Sequence, residues 1–254
     1  KAGKEKISKV IDFISDMYLN PTFPQKDIDI ERGVIIEEIN MQEDLPREVL
    51  WDIWQNLLYP ETSAGRTILG TKQNLNSFVQ NDFIEYHNLH YVPSKTVFVV
   101  AGGIQEDSVI EQIKNIFSSL PSSNPVRRDK TNFKQSTPAI VIKNKDIDQA
   151  HIILGFRSFD MYDERNYPLK VAAAILGQGF SSRLFGKMRD ELGLCYYVGA
   201  SLLTFTDRGV LKVRSGVAIN RIQEAIQVLM EEFKRIRDEK ISQVELQKAK
   251  DYLI

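Results

Sequence analysis

Apolar positions set the first reading of this chain. Ile7, Val10, Ile11, Ile14 and Met17 recur at three- and four-residue intervals, which predicts an amphipathic helix ending near Asn20-Pro21. Asp27 and Asp29 introduce a second helix, acidic at its start as the helix dipole favours, with Val34, Ile35 and Ile39 on its apolar side. Pro46 breaks that helix and suits the first position of a third, which carries Val49, Leu50, Ile53, Trp54, Leu57 and Leu58 at core spacing. A further helix is expected from Asn81-Asp82 to Tyr91. The β-branched run Thr96 to Ala101, closed by Gly102-Gly103, predicts a buried strand. Asp107 to Leu120 then returns to helical spacing.

Pro121 to Pro138 breaks the pattern, with three prolines, several Ser, Thr and Asn, and almost no apolar residue, so it reads as a linker. Beyond it the chain predicts strands at Ala139 to Lys143 and His151 to Phe156, then a helix from about Arg165 to Leu176. A glycine turn, a helix at Arg183 to Leu192 and a hairpin closed by Asp207-Arg208-Gly209 come next. Long helices follow from Arg221 to Arg237 and from Ser242, where Ser242 and Glu245 have capping-box spacing. Hairpin strands beside helices of their own indicate an α+β class, not a parallel βαβ array. Helical spacing from the first turns with no initiator Met, and an uncapped helix at Val244 to Ile254, give the expectation that the chain is cut from a longer protein at both ends.

Charge narrows the partners. With 33 basic against 34 acidic residues the net charge is −1, which removes the main reason to expect nucleic acid. The longest basic cluster, Arg127-Arg128-Asp129-Lys130, is interrupted by an acid and reads as solvated linker. The single cysteine, Cys195, excludes an intrachain disulfide and weakly favours a cytoplasmic setting, the compartment otherwise being open. No apolar run approaches the roughly 20 residues that span a bilayer, so no membrane partner is expected.

Candidate chemistry is sparse on residue grounds alone. Glu31 and Glu38 are seven apart, on one helix face and separated by about 10.5 Å along the axis. Both cannot bind one ion directly, though one ligand with a supporting partner is reasonable. By spacing alone they read as surface glutamates, Arg189 as a helix-surface arginine and Tyr196 as a core strand residue. His87, His90 and His151 read as structural, and Cys195 as a small buried hydrophobe.

Longer motifs change that weighting. Ile30 to Met41 (IERGVIIEEINM) and Gly65 to Gly70 (GRTILG) resemble the insulinase/pitrilysin family of zinc peptidases, close to its processing-peptidase and small bacterial members. The second half adds Gly177 to Phe185 (GQGFSSRLF), similar to the family's G-x-G-x-S-S-R-L-F, and Arg189 to Tyr196 (RDELGLCY), similar to its R-x-x-x-G-L-x-Y block. The resemblance implies two homologous α/β-sandwich domains, both incomplete here: residues 1–120 as the C-terminal part of a zinc-bearing domain, 121–138 as the linker, and 139–254 as the N-terminal part of a substrate-gripping domain. It implies Glu38 as a zinc ligand, Glu31 as its support, and Arg189 with Tyr196 as the groups that hold substrate backbone.

The family's inverted H-x-x-E-H motif is absent from this sequence. The chain by itself is therefore expected to bind zinc weakly and cleave nothing, while the parent is expected to be a zinc metalloendopeptidase acting on peptides or unfolded polypeptides. The alternative is a non-catalytic partner subunit or peptide-binding scaffold. A homo- or heterodimer stays open.

Overall fold

The structure, a computed structural model, describes residues 2–118, 120, 126, 128–131 and 134–254. Residues 121–125, 127, 132 and 133 of the expected linker lie outside the described residues, as does Arg127 of the basic cluster. Helices α1 (Ile7–Leu19), α2 (Gln25–Asp44), α3 (Pro46–Leu58), α4 (Lys72–Ser77), α5 (Gln80–His90) and α6 (Glu106–Phe117) occupy the first half. Strand β1 (Gln149–Ser158), helix α7 (Asn166–Gly177), strands β2 (Cys195–Thr204) and β3 (Gly209–Ala218), and helices α8 (Ile222–Asp238) and α9 (Gln243–Leu253) make up the second. The class is α+β. No helix among the described residues is long and apolar enough to cross a membrane. Two compact units divide the chain: Lys1–Ile39 with Leu69–Asp129, and Asn40–Ile68 with Lys130–Ile254.

In the first unit α1 packs against α6, and Tyr18 at the end of α1 stacks near Tyr91 and Phe117, ring centroids 5.4 and 5.5 Å away. Arg32 ties α2 to the neighbourhood of α4: Nε donates to the Leu75 carbonyl at 2.9 Å and Nη2 to that of Phe78 at 2.7 Å. Helix α4 was not foreseen. Its start is fixed by Thr71, whose hydroxyl accepts from the Asn74 amide, a capping arrangement on a segment too short to show periodicity.

The strand expected at 96–101 is not formed among the described residues. The segment joins no ladder; Phe98 packs on Phe117 at 4.5 Å, while Val97 and Val99 are 84% and 85% exposed. The strand expected at 139–143 is likewise unpaired, with Ile140 and Ile142 exposed. Residue type marks a segment as competent for a strand, but only a partner's amides and carbonyls make it one.

The second unit is built on a three-stranded antiparallel sheet in the order β1-β3-β2. One face of β3 carries Val213 and Val217 into a core with Leu176, Leu184, Met188, Leu194 and Leu229. Helix α8 supplies this core through Ala225, Val228 and Leu229, the apolar stripe its sequence predicts. The other face carries Val210, which packs with Trp54 and Leu58 of α3. Gly155 permits that seating: a Cβ there would lie 2.7 Å from the Trp54 ring.

Helix α9 begins with the predicted capping box, Ser242 Oγ accepting from the Glu245 amide at 3.2 Å. Glu245 also accepts from Arg183 Nε at 2.7 Å and Nη2 at 3.0 Å. That fork holds the Glu245 carboxyl below the ordinary glutamate range. Because the folded-state pKa is the depressed one, the stabilisation is present above the unfolded value of about 4.3 and is lost as pH falls through the folded one. Glu245→Ala is expected to cost about 2 kcal/mol at pH 7, discounted for the solvent that still reaches the pair. Urea unfolding at pH 7 and pH 3 checks this, since the penalty should shrink in acid.

Candidate functional site

Glu31 and Glu38 project from α2 in the first unit, and both are exposed, as is Glu37. Ile28 and Ile39 bury the adjoining side of the helix, about a quarter-turn round from the glutamates, and Arg32 anchors it. Beside the acidic stripe, Ile30 is 59% and Val34 48% exposed. Apolar groups flanking carboxylates suit a surface that meets something other than bulk water.

Arg189 and Tyr196 belong to the second unit, and the sequence motifs there have local physical roles. Gly177 lets α7 approach β2, since a Cβ would stand 2.4 Å from the Ala200 nitrogen. Gly179 takes φ +77°, which favours glycine, and buried Ser182 donates to its carbonyl at 2.8 Å. Arg183 goes to Glu245 and Leu184 is fully buried. Most of the glycine-serine motif therefore builds the support, not the chemistry.

The segment Phe185–Glu191 is a π-helix, a widened turn that often marks functional positions. Met188 points into the core and Arg189 out to solvent, its guanidinium carbon 4.9 Å from the Phe185 ring centroid. Gly193, at φ +56°, turns the chain, and the Leu194 amide donates back to the Met188 carbonyl at 2.7 Å. Cys195 then pairs with Val217 and Tyr197 with Gly216, so Tyr196 is the extra residue of a β-bulge. The bulge turns Tyr196 outward, 71% exposed, where residue type suggested a core strand position. Arg189 lies near enough to act electrostatically on the adjoining Cys195 thiol.

Burial pushes that thiol up, outweighing the Ser215 hydrogen bond and Arg189. Cys195 is accordingly expected to react with a thiol reagent at neutral pH at least about tenfold more slowly in the native protein than after denaturation. The three histidines make local contacts, His90 from an exposed position. His87 Nε2 contacts the Tyr18 carbonyl at 2.8 Å, His90 stacks on Tyr86 at 4.2 Å, and His151 Nδ1 meets the Tyr197 hydroxyl at 3.0 Å.

No group of three or more His, Cys, Asp and Glu side chains among the described residues is arranged to hold a metal ion. The Glu38 carboxylate makes no hydrogen bond or ion pair among those residues. Its carboxylate suits zinc as one donor, and a site needs further ligands beside it.

Comparison with known proteins decides the family. A family model described as Peptidase M16 inactive domain matches residues 77–253, and one described as Insulinase (Peptidase family M16) matches residues 1–72. The chain belongs to peptidase family M16. The resemblance drawn from the Glu31–Glu38 segment and the Arg189–Tyr196 block thus holds. Among curated relatives, the uncharacterized zinc protease YmxG of Bacillus subtilis is 30% identical over 254 residues, covering 100% of this chain and 61% of its own length. An uncharacterized zinc protease of Mycobacterium leprae is 30% identical over 247 residues, covering 96% of the chain and 55% of itself. The chain thus spans little more than half the length of these relatives. The crystal structure of a protease from Helicobacter pylori matches with TM-score 0.84 at 21% identity, over 99% of this chain and 62% of that one, a likeness of fold.

Sequence reasoning missed the bulge that exposes Tyr196. It also missed Arg47, Tyr197, Lys212 and Arg214, whose only sequence signal was a lysine and an arginine alternating with apolar residues in β3.

Proposed function

We propose that the protein carrying this chain is a zinc-dependent metalloendopeptidase. Residues 1–120 contribute to its metal-bearing domain and 139–254 to a substrate-gripping domain, with 121–138 joining them. Glu38 donates a carboxylate oxygen to the metal and Glu31 supports it. Bound zinc supplies Lewis-acid polarisation and a water of lowered pKa. Arg189 and Tyr196 bind carbonyl oxygens of the substrate backbone, as guanidinium and phenol donors can, and stabilise developing negative charge. Strand β2 is an edge of the described sheet, which suits a polypeptide adding alongside it.

The observation that carries this reading is Tyr196 turned outward by a bulge while Arg189 projects from the π-helical turn before it. Strand pairing alone gives no reason for that bulge, and a peptide-holding pair does. The zinc protease names of the relatives support the metal. A non-catalytic partner subunit is the second reading, favoured by the match of residues 77–253 to a domain described as inactive.

Zinc content of the purified full-length protein separates them. A catalytic protein should hold about one zinc per site, and Glu38→Gln should lower that to under about a tenth. Zinc-free wild-type protein supports the non-catalytic reading. Full retention by the Glu38 variant removes Glu38 from the ligand set.

A further inference from the structure

Strand β3 places Lys212 and Arg214 two residues apart, hence on one face of the sheet. Lys212 is only 5% exposed, and its Nζ lies 3.4 Å from the Trp51 ring centroid. Its ammonium makes no hydrogen bond or ion pair among the described residues. A buried ammonium ordinarily finds a carboxylate, so the missing partner needs a reason. The side chain of half-buried Arg214 also has no hydrogen bond or ion pair there.

Tyr197 lies across Gly216 on the same face; a Cβ on that glycine would stand 2.4 Å from the ring. Arg47 of α3 covers Tyr197 at 4.0 Å, adding a third cation. The one acid acting on Lys212 is Glu48 of α3, and its pull is the weakest influence. Burial first, and Arg214 second, bring the Lys212 ammonium down to about 8, so at neutral pH it remains mostly charged. Cations gathered with so little opposing charge repel one another, and an arriving anion would relieve both the repulsion and the unmet donors.

We propose that Lys212, Arg214 and Arg47 form a carboxylate subsite that receives an acidic side chain of a bound polypeptide. The anion preference follows from these residues; taking a polypeptide as its carrier rests on the peptidase reading. The subsite therefore selects substrates bearing Asp or Glu.

The two tryptophans of this chain, Trp51 and Trp54, have ring centroids 5.5 Å apart and report on this face. Full-length protein is titrated at pH 7 with a hexapeptide carrying a central Glu, with its Gln counterpart, and with inorganic phosphate. Trp emission should change, and the Glu peptide should bind about tenfold or more tighter than the Gln peptide. Lys212→Met should erase that preference, and Arg47→Gln, at an exposed position, should weaken it without disturbing the fold. Should the Lys212 variant not fold, Arg47→Gln and Arg214→Gln carry the test. Equal binding of both peptides overturns the subsite while leaving peptide binding intact. No binding of either, displacement by phosphate at equal concentration, or preference surviving in the variants also overturns it. Zinc content reports separately on the peptidase reading.

Discussion

Arg189→Ala in the full-length protein is expected to lower peptidase turnover by about 10²–10³-fold, the usual loss when one donor to a developing oxyanion is removed. Zinc content and unfolding midpoint should not change. Arg189 is exposed on its π-helical turn, whereas its neighbour Met188 is the residue that fills the core. Truncation at 189 therefore opens no cavity and breaks no buried pair. Arg189→Lys should recover only part of the rate, because an ammonium keeps the charge but not the planar fork. Tyr196→Phe should behave like a milder version, since the bulge that presents the side chain is set by the backbone. Paired kcat and denaturation measurements check the claim. A fall in stability that tracks the fall in rate would assign both residues to the fold.

Leu229→Ala is expected to cost about 3–5 kcal/mol of unfolding free energy, read from urea midpoints. Leu229 is completely buried in α8 against the cluster that includes Leu176, Met188, Leu194 and Val213. The cluster joins two sheet strands, the π-helical turn and two helices, so the surroundings cannot collapse into the space left behind. Its neighbour Met230 is 51% exposed, and Met230→Ala should cost less than about 1 kcal/mol. Similar losses for both would mean that α8 presents a different face to the sheet. Because this core lies under the turn carrying Arg189, the Leu229 variant should also lose activity at temperatures where the wild-type protein keeps it.

Much of the helical framework was legible because long helices write their buried face into residue spacing. Pro46 marked the start of α3, and Ser242 with Glu245 marked that of α9. Segments 96–101 and 139–143, expected as strands, find no partner among the described residues: β-branched residues state a preference, and pairing is a property of whatever lies alongside. The π-helical form of Phe185–Glu191 escaped notice because a wide turn and an α-turn use the same residues. The expected division at 121–138 came from composition. The grouping of residues 40–68 with the sheet-bearing unit is decided by contacts such as Trp54 on Gly155, which no local pattern announces.

By itself, the sequence determined the α+β class, most helix boundaries, the family and the identity of the candidate residues Glu31, Glu38, Arg189 and Tyr196. These depend on periodicity, caps and motif, all of which are local along the chain. Only tertiary structure decided that Tyr196 leaves the sheet through a bulge and that, among the described residues, Lys212 lies buried beneath Trp51 with no acid in contact and two apolar runs find no strand partner. Register, burial and electrostatic company arise between residues far apart in sequence, where spacing carries no information.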